Sequence, residues 1–143
     1  MKILAVDLGD ARTGLAACDR TEFLASPLCV ISEWNEDRVI SRIAAAAEEI
    51  EAGMIVMGHP LNMDGSKGPR AEKCEKAAEK LKTLVNIPVV LWDERQTTVQ
   101  AHNILHANNK KEKQHKDVVD AVAATLILES YLAYRKNNSQ NHR

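Results

Sequence analysis

Hydrophobic positions fall along this chain in two rhythms, short continuous runs and helical repeats, and their alternation predicts the elements. Ile3-Leu4-Ala5-Val6 is an aliphatic run with no polar alternate, the pattern of a central strand covered on both faces. It delivers one carboxylate, Asp7, at its far end, followed by a turn bracketed by Gly9 and Gly14. Leu15 to Asp19 can return antiparallel, and Phe23 to Ile31 supplies a third strand in which Ser26-Pro27 marks a bend or an edge. Asn35 caps a helix whose apolar repeat, Val39, Ile43, Ala46 or Ala47 and Ile50, is stopped by Gly53. Met54 to Gly58 is another apolar strand. A whole helix separates it from the third, so it pairs parallel with the first.

A loop dense in turn formers, His59 to Gly68, leads to Pro69, which opens a helix with the stripe Cys74, Ala77, Ala78, Leu81 and Leu84. Ile87 to Trp92 forms the last strand, with Pro88 confined to its start or to an edge, and runs into Asp93-Glu94-Arg95. Thr97 and Gln100 have capping-box spacing for a helix through Ala101, Ile104 and Leu105. A final helix spans about Asp117 to Tyr134. The order βββαβαβα predicts an α/β fold: a mixed five-stranded sheet, three strands in an antiparallel meander plus two parallel, flanked by helices. Residues 1–136 read as a single domain and 137–143 as a flexible polar tail.

Composition narrows the chemistry. The 143 residues are 45% hydrophobic but 3% aromatic, so the core is aliphatic, and a net charge of -1 gives no global pull on polyanions. Any nucleic-acid contact must come from a local basic patch. Cys18, Cys29 and Cys74 form no Cys-x-x-Cys pair and read as core thiols in a reducing cytoplasm. No signal-peptide pattern or membrane-length run is present.

Three places put acids where packing would favour something else: Asp7, the pair Asp93 and Glu94, and Asp120 near the start of the last helix. Asp120 shares a helical face with Ala123, Ala124, Ile127 and Tyr131, the face expected to meet the sheet. Asp117 lies one turn earlier. At about 4 Å, Asp7 and Glu94 would repel by about 4 kcal/mol at an effective dielectric near 20, so they would share a proton or a cation. Oxygen donors without a His/Cys cluster favour Mg²⁺ or Mn²⁺ over zinc. Such ions could serve phosphodiester hydrolysis.

The Asp7-Leu8-Gly9 turn with Gly14, the Gly58 to Gly65 loop, Asp93-Glu94-Arg95-Gln96-Thr97-Thr98, and Val119-Asp120 with Ala123-Ala124 resemble the four signature blocks of the YqgF or RuvX family of pre-16S rRNA nucleases. That family is similar to the RuvC Holliday-junction resolvases and has the RNase H-like fold. The resemblance implies a metal-dependent endonuclease trimming the 5′ end of precursor small-subunit rRNA, with metal and catalysis on Asp7, Glu94 and Asp120. Asp93 and Asp117 are secondary metal candidates. Arg12, Asn62, Lys67, Arg70, Arg95, Lys110, Lys111, Lys113 and Lys116 are the candidate nucleic-acid contacts. Asp10, His59 and Gln96 depart from the family pattern, and Asp10 adds negative charge near the phosphate path. Three alternatives stand beside this reading: resolution of four-way DNA junctions, which requires a homodimer rather than a monomer; a non-catalytic nucleic-acid-binding or transcription-associated factor; and ATP binding, since the Asp7-Leu8-Gly9 turn with Gly14 also resembles the phosphate turn of sugar-kinase and actin-like ATPases, which clamp nucleotide between two such domains where this chain reads as one.

Overall fold

The computed structural model describes the backbone of residues 1–96 and 116–141 and the side chains of 1–96 and 121–138. The capping box at Thr97, the helix through Leu105, and Lys110, Lys111 and Lys113 lie outside the described residues. The described elements are β1 (Ile3–Asp7), β2 (Arg12–Cys18), β3 (Ala25–Ser32), α1 (Glu36–Glu49), β4 (Met54–His59), α2 (Pro69–Lys82), β5 (Val89–Asp93), a short 3-10 turn (Glu94–Gln96) and α3 (Lys116–Asn141). The sheet runs β3-β2-β1-β4-β5, with β1 antiparallel to β2 and parallel to β4, and β4 parallel to β5. This is the expected mixed five-stranded α/β arrangement.

The unbroken apolar run of β1 follows from its central place. Leu4 and Val6 pack with Val39, Ile40 and Ile43 of α1 and Cys74, Ala77 and Leu81 of α2. Ile3 and Ala5 face the other way, into a cluster with Ala124, Leu128, Tyr131 and Leu132 of α3. Each face of β1 is dry, so alternation has nothing to record.

Several elements differ from expectation for physical reasons. α1 is ended not by Gly53 but by Glu51, whose φ of 58° puts a non-glycine residue in the left-handed region. Ala52 N–H donates to the Ala47 carbonyl at 2.9 Å and Glu51 N–H to Glu48 at 3.1 Å, the paired bonds of a Schellman cap. Glu51→Gly is expected to stabilise the fold by about 0.5–1 kcal/mol, because glycine takes this conformation without the Cβ penalty. Chemical denaturation should show a raised midpoint with an unchanged slope.

Leu84 lies beyond α2 and is 53% exposed rather than part of its stripe. Cys18 and Cys74 are buried as expected, but Cys29 is exposed. It sits on β3, the outer strand, where Pro27 lies beside a register shift and its missing N–H costs no ladder bond. α3 continues past Tyr134 to Asn141. Arg135 is held there by Glu22 of the β2–β3 turn, with Nε–Oε1 at 2.7 Å and Nη2–Oε2 at 3.2 Å.

Candidate active site

β1, β4 and β5 are parallel, so their carboxyl ends share one edge of the sheet, where α/β proteins place their ligands. Register decides which residues meet there. Val6 stands beside Met57, and Gly58 beside Trp92. Strand alternation therefore turns Asp7, like Ala5 and Ile3, toward the α3 side, and Gly58 turns the same way. A Cβ on Gly58 would come within 2.7 Å of Ile127 Cδ1 and 3.1 Å of the Glu94 carboxyl carbon. The missing side chain of Gly58 is thus the slot in which Glu94 lies, between β5 and the end of β1.

The consequence is electrostatic. Burial, the charge of Asp7 and, less strongly, that of Asp93 push the Glu94 carboxyl up to about 7, while Arg70 pulls the other way. Beneath the pair, the buried Cys74 thiol is raised to about 11, first by burial and then by Glu94 and Asp7. Arg70 is a cation of this corner. Its Nη2 lies 3.5 Å from the Leu8 carbonyl, and its charge acts on Glu94, Cys74 and Asp10.

Glu94 is fixed from behind. Trp92 Nε1 donates to Ser130 Oγ at 3.1 Å, and that hydroxyl donates to the Gln96 carbonyl at 3.2 Å, tying the end of β5 to α3. The Trp92 ring packs edge-on against Tyr131 with centroids 5.3 Å apart.

Asp93 has a different task. Arg95 Nε and Nη2 reach its two carboxylate oxygens at 3.0 and 2.7 Å, and this fork holds the Asp93 carboxyl below the usual range. Arg95 Nη1 also donates to the Met63 carbonyl at 3.2 Å, so the guanidinium braces the 59–68 loop. The loop is pinned on its other side by Glu75, which lies 2.8 Å from His59 Nε2 and 3.1 Å from Lys67 Nζ. Asn62 Nδ2 is turned inward to Ser66 Oγ at 2.9 Å. Asp10 is exposed and lies 2.7 Å from Lys73, which offsets the charge it adds to this edge.

The described residues thus bring Asp7, Glu94 and Arg70 together, while Arg12 lies on the same rim at the start of β2. Asn62, Lys67 and Arg95 belong to the loop and its braces. Lys116, Asp117 and Asp120 occupy the first turns of α3, with their side chains outside the described residues; position 120 is one turn before the buried Ala124. Among the described residues no group of three or more His, Cys, Asp or Glu is arranged around a metal position. Gly58, quoted in the sequence only as the head of a signature block, is a position whose place beside Glu94 the sequence reading did not assign. Its signal was available, because a glycine inside an apolar strand marks a close approach.

Gly58→Ala is expected to cost about 1–3 kcal/mol, since Ile127 and Glu94 must both move, and to lose nuclease activity beyond what that instability explains. Activity measured well below the melting temperature separates the two losses.

A mixed sheet in the order 3-2-1-4-5, with β1, β4 and β5 parallel, is the arrangement of the RNase H-like fold. Solved structures share it: Thermus thermophilus RuvC in complex with Holliday junction substrate superposes with a TM-score of 0.63 at 14% identity over 94% of this chain and 96% of that one. The fowlpox virus Holliday junction resolvase gives 0.59 at 14% identity over 94% and 99%. Residues 1–134 match the family model described as RuvX: Holliday junction resolvase, and the chain belongs to this family of nucleases. A relative from Thermoanaerobacter pseudethanolicus, 40% identical over 96% of this chain and 99% of its own, carries the name "Putative pre-16S rRNA nuclease". One from Kineococcus radiotolerans, 44% identical over 90% of this chain and 70% of its own, carries the same name. No helix among the described residues is long and apolar enough to cross a membrane.

Proposed function

We propose that the protein is a divalent-metal-dependent endonuclease that hydrolyses phosphodiester bonds in precursor 16S rRNA in the cytoplasm. The observation that carries the metal is Glu94, whose carboxyl is raised to about 7 partly by the neighbouring Asp7. Such a pair is unfavourable alone and becomes favourable around a cation, and its all-oxygen donors suit Mg²⁺ or Mn²⁺. The residues present therefore fit the ion. Asp7 and Glu94 would hold it, and Asp120, near the start of α3, would be the third ligand. When bound, such ions polarise the phosphate and lower the pKa of a coordinated water. Glu94, beside the ion, would position the attacking water. Arg70 meets the charge that grows on the phosphate, and Lys67 with the first turn of α2 steers the backbone of the strand.

The substrate reading rests on the naming of the curated relatives. The family description and the junction-bound resolvase favour a second reading, cleavage of four-way DNA junctions. A panel of precursor rRNA, single-stranded RNA and four-way DNA junctions, each with Mg²⁺ and with Mn²⁺, decides between them. Cleavage of the rRNA precursor alone supports the first reading, and paired cuts in the junction replace it by the second. Binding without cleavage of any substrate would leave only the non-catalytic alternative.

A further inference from the structure

The chain has five aromatic residues, and they are unequally placed. Trp92, Tyr131 and Tyr134 pack on one another, with centroids 5.0–6.0 Å apart. Phe23 lies at the β2–β3 turn, the end of the sheet away from Asp7. Trp34 remains, 77% exposed, just beyond β3. Because β3 runs antiparallel to β2, and β2 to β1, the carboxyl ends of β3 and β1 lie on the same edge. Ser32 stands opposite Arg12, and Glu33 N–H donates to the Ala11 carbonyl at 3.0 Å. Two strand spacings and about four residues of rise set Trp34 roughly 15 Å from Asp7 along the rim.

The segment that presents the ring is held firmly. The Glu33 carboxylate accepts the N–H groups of Trp34 and Asn35 at 3.0 and 3.2 Å, and Arg38 lies 3.7 Å from its other oxygen. Asn35 then caps α1 through the Arg38 N–H at 3.0 Å. The surrounding charges are mixed: Arg12, Arg38 and Arg42 against Glu33, Glu36 and Asp37, with Asp37 3.3 Å from Lys80. An electrostatic grip is therefore not what this corner offers. A large apolar face on a braced loop, continuous with the acid edge, is suited to a flat apolar ligand.

We propose that Trp34 is a stacking platform for an unpaired base of the substrate strand, a few nucleotides from the scissile phosphate. The inference rests on the nuclease reading above. It extends the site from the acid edge across the β1–β2 turn to the outer strand, and it makes the enzyme select for single-stranded character beside the cut. Stacking tolerates any base, so the platform sets strandedness and register rather than sequence.

Binding by the Asp7→Asn protein, with and without Trp34→Ala or Trp34→Phe, separates this proposal from the nuclease reading. The probes are a short single-stranded RNA, the DNA of the same sequence, and the perfect RNA duplex. Trp34→Ala is expected to weaken binding of both single strands by about 5- to 100-fold, with partial rescue by Trp34→Phe and little change for the duplex. The loss should persist as salt is raised, whereas that from Arg12→Ala should shrink. Single-stranded RNA should quench the tryptophan fluorescence of the Trp34-containing protein and not that of Trp34→Phe. Tight single-strand binding that is insensitive to Trp34 and gives no quenching would overturn the platform while leaving the nuclease standing, and would make Trp34 a protein contact. Absence of binding to every probe would overturn the platform, while the nuclease reading is decided separately by cleavage of precursor rRNA and four-way junctions.

Discussion

Asp7→Asn is expected to lower the cleavage rate by at least about 100-fold in Mg²⁺ while leaving the protein folded, because it removes the charge of a proposed metal ligand from the acid edge without changing its shape. The substitution also tests the site electrostatically. Asp7 is the second cause, after burial, of the raised Glu94 carboxyl, so Glu94 in the variant should titrate lower than about 7 yet still above its ordinary value. Carboxyl NMR of the two proteins would follow this directly. An unchanged Glu94 titration would mean that the two acids do not face one another; an unchanged cleavage rate would remove Asp7 from the reaction.

Glu94→Gln is expected to abolish cleavage and, without metal, to make the protein more stable at pH 8. The sign follows from linkage. The Glu94 carboxyl is raised in the folded state from 4.5 to about 7, so the folded protein binds the extra proton. Stability therefore falls as pH rises between these values, and the penalty is complete above them. Allowing for solvent screening of a half-buried group, it amounts to about 1–3 kcal/mol at pH 8. Melting in EDTA should show Glu94→Gln several degrees above the wild type at pH 8 and level with it near pH 4. Mn²⁺ should raise the wild type and not the variant. If the variant melts no higher at pH 8, the acids do not oppose one another.

Much of this site was legible in the sequence because it depends on strand ends. Asp7 and Glu94 stand out as acids closing aliphatic runs, and the parallel pairing of β1, β4 and β5 brings such ends together whatever the side chains between them. What could not be read is which of two adjacent acids turns inward. Asp93 and Glu94 have similar chemistry, and only the strand register, with Gly58 opposite Trp92, decides that Glu94 enters the slot while Asp93 is clamped by Arg95. The end of α1 was misassigned for a related reason. A helix cap requires a backbone angle, and Glu51 adopts at some cost what Gly53 would have taken freely. Cys29 and Leu84 were placed inside because apolar patterns do not reveal which strand is outermost or where a helix stops.

The position of α3 bears on how the enzyme is made. One entire face of the sheet, including Ile3, Ala5 and Val56, is closed by residues beyond 120. A chain emerging from the ribosome at roughly 5–20 residues per second must therefore hold β1 to β5 with half the core open until α3 has been synthesised. Asp7 is made well before its proposed partner on α3. Until α3 is in place, Trp92 also lacks the Ser130 hydroxyl that ties the end of β5 to that helix.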